Sequence, residues 1–175
     1  MGIVLLCLGF PDQALAQSNA AIAEARRLAH PTSLAVSLTL GSLPLWLVGD
    51  NAALGERAAE LVAVATDQDF ALWGAQGRIY RGWVKVQQGD VTEGISLLRS
   101  GASAYRVTGA VLLNVYYSTL LALAYEIAGR VDESMTLLDE ASQIVERTEE
   151  RWFAAELNRH KGQLGHSAAA EIAKP

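Results

Sequence analysis

The 175-residue chain has one cysteine, four prolines, few aromatics and no run of basic residues. Each shortage excludes something. A lone Cys7 rules out an internal disulfide and any cysteine-rich metal site, and suits a reducing compartment. Aromatics make up 7% of a chain that is 51% hydrophobic, and alanine fills the difference. The 29 alanines and 15 glycines form a quarter of the sequence, a density suited to closely packed helices rather than to a sheet. The net charge of −5 comes from 14 basic and 19 acidic residues spread along the chain, so no nucleic-acid partner is expected. No segment offers the roughly 18–20 uninterrupted apolar residues that cross a bilayer. Ile3–Phe10 is short and lacks the cationic start and cleavage site of a signal peptide. Leu34–Val48 is broken by Ser37, Thr39, Gly41, Ser42 and Pro44. A soluble, cytoplasmic protein with no membrane partner is expected.

What is present is a repeat. Gly9, Gly49, Gly89 and Gly129 stand forty residues apart, each followed by turn or helix-start residues such as Pro11–Asp12, Asp50–Asn51, Asp90–Thr92 or Val131–Asp132. Glycine ends one helix in the left-handed conformation, and the following Asp, Asn or Thr caps the next. Five, nine, twelve and sixteen residues beyond the glycines stand Ala14, Ser18, Ala21 and Ala25, then Leu54, Ala58, Leu61 and Ala65. The later copies give Gly94, Leu98, Gly101 and Tyr105, then Ser134, Leu138, Ala141 and Val145. The sites six and thirteen beyond add Leu15/Ile22, Gly55/Val62, Ile95/Ala102 and Met135/Ser142, and none of these 24 sites carries a charge. That spacing is one face of a helix, with Glu24, Arg27, Glu56, Arg57, Glu93, Asp139 and Glu146 on the other. Partner helices are expected at about 32–48, 71–88, 110–128 and 151–164, with Met1–Leu8 the stump of an earlier one. Ser42, Gly82, Ala122 and Gly162 form a series of small residues at which two backbones can approach.

The predicted fold is all-α, an α-α superhelix of stacked antiparallel helix pairs over residues 1–164, with a frayed tail at 165–175. The small-residue helix, then Gly with Asp or Asn, then Ala five positions on, resembles the tetratricopeptide (TPR) family; Gly129 with Ala122, Tyr125, Leu138 and Ala141 is the best single match. The period is forty rather than that family's thirty-four. The segments LWGAQGRIYRGWVKVQQGDVTEGISLLRSG and ERTEERWFAAELNRHKGQL further resemble long-period repeats at the C-terminal end of bacterial signalling proteins that carry a cyclase or regulatory domain and an ATPase. Neither of those domains is in this sequence, so none of their activities carries over. The chain opens mid-pattern, as a fragment or a shortened relative would.

Catalytic patterns are missing. There is no phosphate loop, no Gly-x-Ser-x-Gly and no His-Glu-x-x-His; His160 and His166 are six apart, on different helix faces. His30, beside Pro31, belongs to a helix end, and Cys7 reads as a small buried hydrophobe. Glu146, Glu149, Glu150 and Glu156 surround Arg147, Arg151 and Arg159 and read as a solvated junction. No enzyme, metal or cofactor is therefore expected.

The resemblance implies a concave groove lined by Val36, Thr39, Leu43, Trp46 and Leu47 in the second repeat. The third would contribute Gln76, Ile79, Trp83, Val86 and Gln87, and the fourth Tyr116, Thr119, Leu123, Glu126 and Ile127. Such a groove is unusually apolar and lacks the Lys/Asn/Arg clamp that chaperone adaptors use; it is either an interface or core covered by tighter coiling. Arg78, Arg81 and Lys85, at i, i+3 and i+7, form a cationic stripe. That stripe could receive an acidic partner, stay solvated or pair internally. The expected function is a protein-interaction or scaffolding module that binds a protein, a peptide or a second copy of itself. The alternative is a sensor holding a small ligand or signal peptide between repeats.

Overall fold

The computed structural model describes residues 2–149 and 151–172, with side chains as far as residue 165. Among the described residues there are nine helices and no strand: α1 Gly2–Cys7, α2 Pro11–Arg27, α3 Pro31–Val48, α4 Asn51–Asp67, α5 Ala71–Gln87, α6 Val91–Val107, α7 Asn114–Ile127, α8 Val131–Thr148 and α9 Ala154–Ile172. The chain forms two compact units, Met1–Thr108 and Gly109–Pro175. Most of the expected tail at 165–175 lies outside the residues whose side chains are described.

In the first unit each of α1 to α6 packs on the next, joined by short turns that reverse direction, and α3 also touches α1 and α5. In the second, α7 packs on α8 and α8 on α9. Gly9, Gly49, Gly89 and Gly129 are all left-handed, with φ of +85°, +78°, +91° and +72°. A second left-handed series falls midway between them, at Ala29 (+48°), Asp69 (+53°), Gly109 (+79°) and Glu149 (+58°). Each helix from α2 to α8 thus lies between two left-handed residues. The Asp50 side chain accepts from Ala53 N at 3.0 Å, as expected of a cap.

The helix-face sites read from the repeat are buried or half-buried except Ala21. Where α5 meets α6 the approach is backbone to backbone: a Cβ added at Gly82 would lie 2.8 Å from both Gly94 O and Leu98 N. Gly162, the last of the small-residue series, does not behave this way; it is exposed, with nothing within 4 Å of an added Cβ. Cys7 is exposed rather than buried, because the half-buried Ile3 and Leu6, one turn apart, take the packed side of α1. The seventh helix starts at Asn114, four residues later than expected, after a turn at 112–113.

Helix α3 has no ionisable side chain and is the one described helix long and apolar enough to cross a membrane by length and composition. Its residues Leu38 and Gly41–Trp46 are buried and it contacts α1, α2, α4 and α5. Apolar on nearly every side and 44% buried, it packs on these neighbours along part of its surface and leaves the rest exposed.

Candidate functional site

The groove sites of the second and third repeats face one another across α3 and α5. Thr39 Oγ1 donates to Gln76 Oε1 at 3.3 Å, and the Tyr80 hydroxyl donates to the carbonyl of Thr39 at 3.4 Å. Trp46 and Trp83 meet edge to face with centroids 6.0 Å apart, and Trp83 Nε1 donates to Asn51 Oδ1 at 3.2 Å. Thr39, Leu43, Trp46, Gln76, Ile79, Trp83 and Val86 are consequently buried, whereas Val36, Leu47 and Gln87 are exposed. Leu40, which the family positions pass over, is 59% exposed. Val36, Leu40 and Leu47 fall on one line along α3, so an apolar edge remains beside the closed seam. In the second unit Tyr116 and Thr119 are buried, Leu123 and Glu126 half-buried and Ile127 exposed. Thr119 donates to its own helix at Val115 O (2.9 Å), and the Tyr116 ring packs against Phe153 at 5.3 Å.

The cationic stripe leaves α5 roughly half a turn round the helix from Gln76 and Trp83, which face α3. Lys85 pairs with Asp90 (3.3 Å) and Glu93 (2.8 Å), and these hydrogen bonds, Glu93 foremost, raise its pKa. Arg78 and Arg81 are exposed and have no ion pair among the described residues.

Arg57, assigned by the periodicity to the charged face, reaches inward instead. Its guanidinium donates to the carbonyl of Gly41 on α3 and to Asn19 Oδ1 on α2, tying three helices together. Burial first, and then nearby Arg26, lowers its pKa, with Asp50 and Glu60 opposing. Arg26 itself forms a two-pronged pair with Glu60, at 2.8 and 2.5 Å. A cavity of about 490 Å³ opens where α2 and α4 end and α3 begins, lined by Ala29, His30, Pro31, Leu34, Ala63 and Val64 among others. His30 caps α3, its Nδ1 accepting from Ser33 N at 3.2 Å.

In the second unit His160 is 7% exposed and stands in line with Leu157 and Leu164 on the buried side of α9, which the buried Phe153 precedes. Its Nε2 lies 3.1 Å from Glu156 Oε1. Burial, then Arg159, depresses its pKa, and Glu156 opposes them. Of the expected junction charges, Glu156 pairs with Arg159 and Glu150 lies outside the described residues. His166 lies beyond the described side chains. Among the described residues no three His, Cys, Asp or Glu side chains are grouped to hold a metal ion.

No family model matches the chain. An uncharacterised protein of Rhizobium meliloti (strain 1021) is 26% identical over 143 residues, covering 82% of this chain but only 14% of that protein. The chain therefore spans about a seventh of the length of this curated relative. Among solved structures, the apo form of RapI superposes with a TM-score of 0.69 at 9% identity, over 98% of this chain and 66% of that one. A Podospora anserina putative kinesin light chain with nearly identical TPR-like repeats gives a TM-score of 0.58 at 16% identity, over 99% and 94%. Helices without a strand among the described residues, turned at forty-residue intervals and superposing on TPR-like chains, make this an all-α, tetratricopeptide-like helical repeat.

Proposed function

We propose that this chain is a non-catalytic protein-interaction and scaffolding module of bacterial signal transduction. It binds a protein or peptide partner, or a second copy of itself, through the exposed edge of α3 that includes the groove sites Val36 and Leu47. The observation that carries the reading is the apolar edge of α3. Val36, Leu40 and Leu47 are exposed on a helix without a single charge, while its other sides are locked into the core. An apolar line held on a rigid element suits recognition, since neither the helix nor its buried supports need reorganise on binding. Trp46, Trp83, Thr39 and Gln76 back that edge rather than contact the partner. The bacterial, much longer relative supports a role within a larger assembly. The test is Leu40→Glu combined with Leu47→Glu. Self-association in sedimentation velocity and co-purification of an identified partner from the native host should both fall at least tenfold, with helicity unchanged. Wild-type behaviour in both assays would remove the α3 edge from the account.

The roughly 490 Å³ cavity favours a second reading, a sensor for a small ligand or signal peptide. A ligand bound there only by the folded state raises the melting temperature in a thermal-shift screen, and Leu34→Trp, which fills the cavity, abolishes the rise.

A further inference from the structure

We propose that the outer side of α5, where Arg78 and Arg81 stand exposed one turn apart and Arg81 borders a cleft against α4, receives an acidic amphipathic peptide segment of a protein partner. This rests on the partner-binding reading above and concerns a different face from the α3 edge. The chain is acidic overall, yet no carboxylate occurs between Asp69 and Asp90, a stretch that contains Arg78, Arg81 and Lys85. Lys85 is engaged by Asp90 and Glu93 and so ties α5 to the start of α6. Arg78 and Arg81 have no such engagement among the described residues. One helical turn apart, with Cβ atoms about 5–6 Å from each other, they match carboxylates spaced at i, i+3 or i, i+4 on a partner helix. Each guanidinium can hold its carboxylate through two parallel hydrogen bonds.

Beside Arg81 opens a cleft of about 320 Å³, lined by Ala52, Gly55, Ala59 and Val84 together with Arg81 and Lys85. Those small side chains leave room for the apolar residues that alternate with carboxylates on an amphipathic segment. Glu56 stands on the same rim, and with the net charge of −5 it opposes a continuous polyanion such as a nucleic acid or an anionic bilayer. Discrete carboxylates, placed to meet the two arginines and avoid Glu56, suffer no such penalty.

The probe is a fluorescein-labelled sixteen-residue helical peptide with Leu and Ala on one face and Glu pairs at i, i+3 beside them. Its binding to the full chain is read by fluorescence anisotropy at low salt. Arg78→Ala with Arg81→Ala should raise Kd at least tenfold, and replacing the peptide's Glu by Gln should do the same. Arg78→Glu with Arg81→Glu should bind a Lys-substituted peptide instead, and the Leu40→Glu/Leu47→Glu protein should bind the acidic peptide as wild type does. Failure of the wild-type chain to bind the acidic peptide, or equal binding of the Glu and Gln peptides or of the arginine variants, overturns the proposal without touching the α3 edge. Tighter, arginine-dependent binding of a twelve-residue oligothymidylate or of phosphatidylglycerol vesicles overturns it too.

Discussion

Two glycines of the first unit should respond in opposite directions to the same substitution. In an exposed helix interior Gly→Ala gains about 1 kcal/mol of helix propensity. At Gly55 the nearest atom to the new Cβ is Val84 Cγ1 at 3.4 Å, an ordinary contact, so that gain survives. At Gly82 the same methyl would sit 2.8 Å from two backbone atoms of α6. Relieving both contacts requires α5 and α6 to part by over half an ångström along a face that also holds Gly94 and Gly101, and overpacking of this kind costs about 1–3 kcal/mol or more. Backbone atoms cannot swing aside as a side chain can, so the upper part of that range applies. After the propensity gain, Gly82→Ala should lose about 1–2 kcal/mol while Gly55→Ala gains about 1. For a chain of this size each kcal/mol moves Tm by about 2–4 °C. Circular-dichroism melts of the full chain should therefore place Gly82→Ala several degrees below wild type and Gly55→Ala a few degrees above it, with urea midpoints in the same order. If both variants shift the same way, or Gly82→Ala melts with wild type, the close approach of α5 and α6 is not what gives Gly82 its place.

Arg57→Ala should cost about 1–3 kcal/mol in urea unfolding, because Asn19 and the carbonyl of Gly41 lose a shared charged donor. Arg57→Lys should recover little of it, since an ammonium lacks the planar fork that reaches two helices at once. His160 supplies a pH test. Its folded pKa lies below the ordinary 6.5, so the unfolded chain takes up the proton first, and stability present above that value is lost as pH falls through it toward the folded pKa. His160→Gln should flatten the stability curve between about pH 7 and 5. The lowered carboxyl of Glu156 acts in the same sense, but only below its own ordinary value of 4.5, so a bend confined to that acid range would assign the effect to Glu156.

The helix pairs were legible because a left-handed turn after each helix is most easily made by glycine, and four glycines at one spacing announce it. The midway turns were legible in part: Asp69 and Gly109, a turn former and a glycine, both stand at left-handed positions, and Pro31 marks the join just after Ala29. Ala29 and Glu149 adopt positive φ despite their Cβ atoms, and neither residue type signals it. Gly162 shows the converse, a residue in register where an added Cβ would meet nothing within 4 Å. The groove positions were found as positions, but their burial depends on how near α3 comes to α5, which the Thr39–Gln76 and Trp46–Trp83 contacts set and no periodicity reports. Leu40 lies outside the groove positions that the resemblance implies, and its counterpart one repeat later, Tyr80, is fully buried, so the two copies use the same site differently. Arg57 was placed outside because a charge among charges gives no hint that a long side chain will turn back to a neighbouring carbonyl.

The interleaved left-handed turns bear on how such a chain can change length. One residue added inside a helix would rotate everything after it by about 100° and swing the packed face toward water. A whole block duplicated or deleted between equivalent turns restores the phase at once. Descendants of this protein should therefore differ in length by multiples of forty, and odd-sized insertions should collect at the bends themselves, where the chain already breaks its helical count.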